Sequence, residues 1–448
     1  MKDDKRTLFK SKWGFIIACV GSAVGMANVW GFSYKLGSNG GGAFLIAYLC
    51  FVFIFSYVGL SAEYAIGRLS GTGPLGSYAR AWRDFKFKKI GKVIGYLPLL
   101  GSVCIAIGYA VIISYVLKAL ADSLSGVLMN VNPENWFNSF AFKNYSVLWY
   151  HALIIVITGV TLIIGTGGIE KSNKIMMPFF FFLFVILAIR VALLPNALDG
   201  YKFLFTPEWE KLKDPMTWVW AMGQAFFSLS ITGSGMIVYG SYLSKDEDIV
   251  YGAKNTAIFD TLAALVAALV MIPAAFAFSL DPGGGPGLLF VTLPTVLQSV
   301  PAGGVFAVIL YTAVVFGGIT SLQNMFEVVV ESILYKFEKL NRRTVLIALC
   351  IITFAVGVFM EPIAETEGTI MGGWGNWMDL VSIYIIPIGA SIGALSWFWI
   401  LDKQTLLDEI NVGAAKKQGE RWHFIGKWIY TPLSIILCII ALTHHIAF

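Results

Sequence analysis

Apolar runs of about 20 residues recur along the whole chain, with no long polar segment between them. A helix of about that length spans the roughly 30 Å of hydrocarbon in a bilayer. Because 57% of the 448 residues are hydrophobic and only 13% are charged, a water-soluble globular protein is excluded. We expect one all-α transmembrane domain over residues 1–448, with eleven spans at about 13–35, 43–69, 92–124, 147–165, 171–194, 217–242, 249–279, 303–336, 343–360, 376–402 and 423–447.

The basic residues are distributed unevenly between the two sides that these spans define. Lys and Arg cluster in the N-terminal tail and in residues 80–92, whereas residues 280–302 and 361–375 contain neither, and residues 125–146 contain only one lysine. The positive-inside rule therefore predicts a cytoplasmic N-terminus, an extracellular C-terminus and an odd number of crossings. The charged tail leads directly into the first span, so we expect no cleaved signal peptide. No nucleic-acid partner is expected.

Residues that could support catalysis or a structural metal are sparse. The five cysteines lie inside predicted spans without CxxC spacing, so we expect isolated thiols and neither disulfides nor a metal site. The four histidines have no Ser/His/Asp or His/Glu pattern around them, and no phosphate-binding glycine loop is present. These features argue against an enzyme.

Two of the apolar runs are interrupted by small and polar residues. The first run contains "CVGSAVGMANVWGF", residues 19–32, and the sixth contains "AMGQAFFSLSITGSGMIVYG", residues 221–240. Hydrocarbon cannot satisfy the backbone groups that a break exposes, so a break is tolerated where it lines a cavity or binds something. Interrupted helices at matching positions of two five-helix halves indicate a transporter with inverted repeats, here about 13–194 and 217–402, followed by an extra helix at about 423–447. The alternative is that the small residues serve only helix packing.

A broken helix offers two kinds of electrostatic site. The half after the break begins with free N–H groups and a positive potential, whereas the half before it ends in free carbonyls. A carboxylate suits the first end and a cation the second. A zwitterionic amino acid with Na⁺ beside it would satisfy both, so the breaks predict a substrate and ion site.

Several stretches besides the two breaks carry a family resemblance. They are "GSAVGMANVWGF", "NGGGAFLIAYL", "EYAIGR", "GQAFFSLS", "YLSKDEDIV", "GPGLLFVTLP" and "FGGITSLQNMFE". In this order and spacing, the sequence resembles the neurotransmitter:sodium symporter family from about Arg6 to the last predicted helix. The resemblance implies the LeuT-type fold, with eleven transmembrane helices, a 5+5 inverted repeat and broken helices 1 and 6. It also implies a sodium-coupled symporter of the bacterial plasma membrane that imports hydrophobic L-amino acids, aliphatic and aromatic, including Trp and Leu, by alternating access.

The resemblance implies two sodium sites built from oxygen atoms, the ligands that a hard cation requires. The first would use the Ala23 carbonyl, Asn28, Ser228, Asp260 and the substrate carboxylate. The second would use the carbonyls of Gly21, Val24 and Gly317 with the hydroxyls of Thr320 and Ser321. A run of small residues around Thr320 could alternatively serve helix packing alone.

The resemblance also implies a substrate site. The substrate carboxylate would meet the N–H groups around Met26 and Ala27 and the Tyr109 hydroxyl. The ammonium would face the carbonyls of Ala23, Phe227 and Ser228, with Ser230 nearby, and the side chain would meet Ile105, Phe227, Gly233, Ser321 and Met325. Gly25 stands where monoamine transporters have an aspartate, which favours an amino-acid substrate. Gly233 stands where a leucine-preferring relative has phenylalanine, which should leave room for aromatic substrates.

The chain departs from the family pattern at the first sodium site. Asp260 replaces the asparagine of many relatives, and Ala264 replaces the charge-compensating glutamate of a chloride-independent relative. A carboxylate at Asp260 can balance the sodium charge without bound chloride, so we expect chloride independence. If Asp260 is instead protonated, transport should depend on pH.

Three gating features follow from the resemblance, each with an open alternative. Asp379 matches the acidic half of the extracellular gate, but Gly31 replaces its arginine. Lys35, one helical turn further on, could replace that arginine or be an ordinary interfacial lysine.

On the inner side, Arg6 matches the gate arginine, but Tyr335 replaces its aspartate and leaves Glu331 or Glu338 as weak candidates. Gly168 and Pro178 have the Gly-x9-Pro spacing of a helix start that unwinds, or else end a loop and cause a static kink.

Three alternative functions stay open at this point. An ion channel or receptor would show high conductance, or sodium binding without substrate flux. A membrane enzyme lacks visible catalytic residues. An osmolyte or monoamine symporter of the same fold is opposed by Gly25 and by the apolar pocket. The oligomeric state is left open.

Overall fold

The computed structural model describes residues 8–283, 285, 287–362 and 373–447, and the regular structure of these residues is helical. Arg6, assigned above to the inner gate, lies outside the described residues. In chain order the helices are α1 (Lys12–Ala23), α2 (Ala27–Ser38), α3 (Gly42–Ser70), α4 (Pro74–Ala81), α5 (Lys88–Leu124), α6 (Pro133–Ala141), α7 (Leu148–Leu162), α8 (Thr166–Ala192), α9 (Ala197–Phe205), α10 (Pro215–Ser228), α11 (Gly235–Ser241), α12 (Ile249–Ala277), α13 (Leu288–Gln298), α14 (Gly303–Lys336), α15 (Arg342–Met360), α16 (Trp374–Ile400), α17 (Lys403–Asn411) and α18 (Glu420–His444).

Most of the predicted spans are long apolar helices. Within the described residues, eight helices are long and apolar enough to cross a bilayer, namely α3, α5, α8, α12, α14, α15, α16 and α18. Helices α1 and α2 form a ninth span, bent by 61° at its break. Helix α7, with 15 residues, is shorter, and the sixth predicted span is divided between α10 and α11. Each of the eleven predicted spans contains helix, and the count of eleven crossings stays a prediction.

Both predicted breaks are present. The first separates Ala23 from Ala27, and the second separates Ser228 from Gly235. In the second break Ser230 has a φ of 53° and Gly233 a φ of 74°. Helical residues have negative φ, so these two left-handed residues end the regular hydrogen-bond ladder.

The long helices place the two breaks inside the protein. Helix α14 packs along α5 and α8, and α1 packs against α8, α12 and α14. Helix α10 packs against α3, and α11 against the second half of α3. The breaks are therefore surrounded by protein, where backbone groups freed from a helix can find polar partners away from lipid.

Candidate functional site

A cavity lies between the two breaks, and we call it the central cavity. Residues from both breaks line it, together with residues of α5, α14 and α16. Nine of the predicted substrate residues take part: Ala23, Gly25, Ala27, Ile105, Tyr109, Phe227, Ser230, Ser321 and Met325. The fold thus brings residues from distant parts of the chain to one enclosed space.

The end of the central cavity near α2 carries polar backbone and a buried phenol. The Tyr109 hydroxyl accepts a hydrogen bond from the Met26 N–H at 2.8 Å. Because the hydroxyl oxygen accepts this bond, its own proton is directed elsewhere and can be donated to an anion. Met26 itself lines a second cavity that adjoins the central one. This arrangement suits a carboxylate at the start of α2.

The side-chain end of the central cavity differs from the expectation at Gly233. Gly233 does not line the cavity. An added β-carbon there would lie 2.5 Å from the Tyr78 hydroxyl and 2.9 Å from the Gly389 carbonyl oxygen, so a side chain at this position would meet α4 and α16. Its neighbours Thr232 and Ser234 line the cavity instead.

Three hydroxyl groups at this end were not among the residues predicted for the substrate site. The Ser102 hydroxyl donates to Ser234 Oγ at 2.9 Å, and the hydroxyls of Thr232 and Ser234 lie 2.8 Å apart. Thr232 and Ser234 belong to the interrupted stretch, which was a usable signal. Ser102 lies three residues before Ile105 on α5, so helical spacing could have placed it on the same face.

The three side chains predicted for the first sodium site form one buried cluster. The Asn28 amide nitrogen donates to Ser228 Oγ at 3.2 Å and to Asp260 Oδ1 at 2.7 Å, and the Ser228 hydroxyl donates to Asp260 Oδ2 at 2.7 Å. The Asn28 Oδ1 accepts the Gly25 N–H at 2.9 Å and keeps a second lone pair. All three side chains are fully buried. Among the described residues, no Lys, Arg or His lies within ion-pair distance of Asp260.

The predicted residues of the second sodium site also lie together. The Ser321 hydroxyl lies 3.0 Å from the Val24 carbonyl and 3.4 Å from the Gly21 carbonyl. The Thr320 hydroxyl donates to the Gly317 carbonyl at 3.0 Å. Carbonyl and hydroxyl oxygens from α1 and α14 are therefore gathered at one point beside the first break, and they are suitable ligands for Na⁺.

The outer gate residues share the adjoining cavity without forming an ion pair there. Lys35 and Asp379 both line it. The buried Lys35 ammonium donates instead to Gln224 Oε1 at 2.8 Å, and the Gln224 amide nitrogen donates to the Ala27 carbonyl at 2.9 Å. Lys35 is thus connected to the backbone of the first break through Gln224, whose role was not foreseen.

On the predicted inner side, Glu327, which was not among the predicted gate residues, pairs with an arginine. Glu331 accepts the Gly73 N–H at 2.6 Å. The fully buried Glu327 binds Arg342, with one bond of 2.9 Å, and accepts the Tyr242 hydroxyl at 2.6 Å. These residues lie on α14, α15 and the segment after α11, and they join three elements on this side.

The Gly-x9-Pro segment is helical in this structure. Gly168 lies in the first turn of α8, and Pro178 lies inside the helix. An added β-carbon at Gly168 would overlap the Thr161 carbonyl oxygen. Glycine at this position therefore also permits close packing between the end of α7 and the start of α8.

Comparison with known proteins identifies the family. The profile of the Sodium:neurotransmitter symporter family matches residues 6–145 and 143–447. The uncharacterized sodium-dependent transporter YhdH of Bacillus subtilis is 30% identical, with 100% of both chains covered. An uncharacterized sodium-dependent transporter of Methanocaldococcus jannaschii is 30% identical over 94% of this chain and 87% of its own.

A solved structure extends the likeness to the fold. The crystal structure of MhsT in complex with L-phenylalanine matches with a TM-score of 0.87 and 32% identity, covering 98% of this chain and 100% of MhsT. These matches agree with an all-α, multi-pass membrane protein that uses sodium. Because the profile match spans nearly the whole sequence, the chain belongs to the sodium:neurotransmitter symporter family.

Proposed function

We propose that the protein is a sodium-coupled symporter that imports hydrophobic L-amino acids, aliphatic and aromatic, including Trp and Leu, by alternating access. The observation that carries this proposal is the central cavity, which has polar backbone at one end and apolar side chains such as Ile105, Phe227 and Met325 along it. An amino acid has the same division between a zwitterionic head and an apolar side chain. MhsT, which is similar over nearly the whole chain, was crystallised with L-phenylalanine.

Two sodium ions would travel with the substrate. One would be held by the Ala23 carbonyl, Asn28, Ser228 and Asp260 together with the substrate carboxylate. The other would be held by the oxygens of Gly21, Val24, Gly317, Thr320 and Ser321. Because the first ion and the substrate carboxylate attract each other, each stabilises binding of the other. Sodium and substrate would shift the population toward an occluded state by binding it more tightly than the open states.

Chloride independence is proposed from the surroundings of Asp260. This carboxylate is fully buried and hydrogen bonded by Asn28 and Ser228. A buried charge without a counter-ion is costly, so the site is suited to a cation. The protein would then supply the balancing negative charge itself, and bound chloride would be unnecessary.

The membrane arrangement is proposed from the distribution of basic residues. We place eleven crossings, as a 5+5 inverted repeat and an extra helix, in a bacterial plasma membrane. The N-terminus would be cytoplasmic and the C-terminus extracellular. Single cysteines can be introduced into residues 80–92 and 125–146. Their labelling from one or the other side of the membrane tests this orientation.

Uptake of labelled tryptophan and leucine into proteoliposomes tests the proposed function. The vesicles carry an inward Na⁺ gradient, K⁺ replaces Na⁺ as the control, and gluconate replaces chloride in a parallel series. We expect uptake of both amino acids that requires Na⁺ and persists in gluconate. If neither amino acid shows Na⁺-driven uptake, the symport proposal is refuted. A loss of uptake in gluconate alone would refute chloride independence.

A further inference from the structure

Asn173 on α8 is a fully buried side chain with an unused oxygen. It lies between Gly168 and Pro178, and its exposed fraction is 0%. Its Oδ1 has no hydrogen-bond partner among the described residues. A buried amide oxygen without a partner costs free energy, so this atom requires an explanation.

A chain of hydrogen bonds fixes which way the Asn173 amide points. The hydroxyls of Thr161 and Ser172 donate to backbone carbonyls, at 2.7 Å to Thr158 and 2.9 Å to Gly168. Their oxygens can therefore accept from the Gln323 amide nitrogen, at 2.7 and 2.9 Å.

This orientation of Gln323 continues to Asn173. Gln323 Oε1 accepts from the Asn173 amide nitrogen at 2.8 Å, and the same nitrogen donates to the Ile169 carbonyl at 2.8 Å. Both neighbours of this nitrogen are acceptors, so the Asn173 oxygen must be the atom on the opposite side.

That oxygen lies against Gly21, one of the residues assigned to the second sodium site. An added β-carbon on Gly21 would overlap Asn173 Oδ1 and would lie 3.1 Å from the Thr320 Cβ. Asn173 and Thr320 therefore meet beside the Gly21 backbone. The Gly21 carbonyl and the Thr320 hydroxyl are two of the five oxygens assigned to the second site.

We propose that Asn173 Oδ1 is a sodium ligand of the second site, in addition to those five oxygens. This assignment rests on the proposed function. An amide oxygen whose lone pairs receive no hydrogen bond is a good ligand for a hard cation, and the ion supplies the missing partner. The second site then takes oxygens from α8 as well as from α1 and α14.

The assignment gives α8 a direct part in ion release. Asn173 lies five residues after Gly168 and five before Pro178. Unwinding of this segment breaks the bond from Asn173 to the Ile169 carbonyl and withdraws the oxygen from Gly21. The same movement separates Ser172 and Gln323, so the ion loses a ligand as water enters from the predicted cytoplasmic side.

Two substitutions at one position test the assignment. We would measure the Na⁺ concentration that gives half-maximal binding of labelled leucine to the purified full-length protein. Asn173→Ala is expected to raise it about tenfold, equivalent to about 1.4 kcal/mol. Asn173→Asp, which is nearly isosteric and keeps an oxygen with a negative charge, is expected to lower it. A purely structural role for Asn173 predicts no such opposite shifts.

Asn255→Ala is the matched control. Its amide also donates to the carbonyl four residues earlier, at 2.8 Å to Tyr251, but on the exposed face of α12. We expect wild-type sodium dependence for this variant. If Asn173→Ala does not fold, the isosteric Asn173→Asp decides the question alone.

The outcomes separate this assignment from the proposed function. If Asn173→Ala and Asn173→Asp both match the control while the wild type depends on Na⁺, the ligand assignment is wrong and the symport proposal stands. If the wild type binds leucine without Na⁺, the symport proposal fails and this assignment fails with it.

Discussion

Gly25 lets the side chains of Tyr109 and Ser321 approach the backbone of the first break closely. An added β-carbon there would overlap the Tyr109 hydroxyl and lie 2.6 Å from Ser321 Oγ. Both contacts belong to residues that line the central cavity. A single methyl group at this position therefore displaces groups assigned to the substrate carboxylate and to the second sodium ion.

We expect Gly25→Ala to reduce leucine binding by at least about tenfold, because fixed donors lose their positions. Equilibrium binding at saturating Na⁺ measures this effect. Gly31→Ala is the control on the same broken helix, because its nearest neighbours would lie 3.8 Å from the new carbon. Equal binding by both variants would show that the space beside Gly25 is not part of the site.

At the residue scale, Asp260 is the carboxylate proposed to balance the charge of the first sodium ion. Asp260→Asn keeps the shape of the side chain and removes its charge. We expect the half-saturating Na⁺ concentration to rise by at least about tenfold, because a unit charge near the ion is lost. Chloride should then stimulate uptake, since the site needs another anion. The measurement is Na⁺-dependent uptake in chloride and in gluconate.

Asp199→Asn serves as the surface control for Asp260. Asp199 forms an exposed ion pair with Lys202 at 3.0 Å, which contributes little to stability or function. Its uptake should match the wild type in both anions. If Asp260→Asn behaves in the same way, Asp260 does not balance the sodium charge.

At the scale of elements, helix α8 contains the Gly168–Pro178 segment whose unwinding is the proposed gating step. The helix is continuous from Thr166 to Ala192 even though Pro178 removes one hydrogen-bond donor from its interior. Gly168 is also required for contact with the Thr161 carbonyl. Substitution of Gly168 would therefore disturb packing as well as unwinding, so Pro178 is the better position for a test.

Pro178→Ala should stiffen α8, because it restores a backbone donor and removes a residue that costs about 3 kcal/mol in a helix interior. We expect the initial rate of leucine uptake to fall by about tenfold, while equilibrium leucine binding is unchanged. Proteoliposome uptake and binding assays give the two quantities. Pro273→Ala, an interior proline of α12, is the control and should transport normally.

An unchanged uptake rate for Pro178→Ala would favour the simpler interpretation of this proline. Pro178 would then cause only a static kink. The assignment of Asn173 as a ligand would survive that result, because it depends on the position of the side chain and is measured by sodium affinity.

A buried ion pair ties distant parts of the chain together at the scale of the whole molecule. Arg68, near the end of α3, donates to Glu409 Oε1 of α17 at 2.6 Å, and Lys245 donates to the same carboxylate at 2.7 Å. Arg68 also donates to the carbonyls of Glu247 and Val412. This cluster joins α17 to α3 and to the segment before α12.

We expect Glu409→Gln to lower the free energy of unfolding by about 3–5 kcal/mol, because it leaves the buried Arg68 without its carboxylate. Thermal unfolding of the purified protein gives the direction and size of the change. Glu420→Gln removes an exposed pair with Lys403 and should change stability by about 0.5 kcal/mol or less. Similar melting temperatures for both variants would contradict the structural importance of this cluster.

The sequence by itself determined the membrane class, the positions of the long apolar helices and the two breaks. The reason is that these properties are local. Transfer of an apolar run into lipid depends on about 20 consecutive residues, and glycine and serine lower helix propensity within their own segment, as they do around Gly25 and Ser230. The family resemblance, carried by short motifs, then selected residues such as Asn28 and Asp260, which the structure brings together.

Only the tertiary structure decided which side chains meet. Gly233 faces Tyr78 and Gly389 and does not line the central cavity, whereas its neighbours Thr232 and Ser234 do. Lys35 binds Gln224, which lies 189 residues away, and Asn173 binds Gln323, which lies 150 residues away. Such contacts depend on how helices cross and rotate against one another, and helical periodicity in one segment contains no information about its partner.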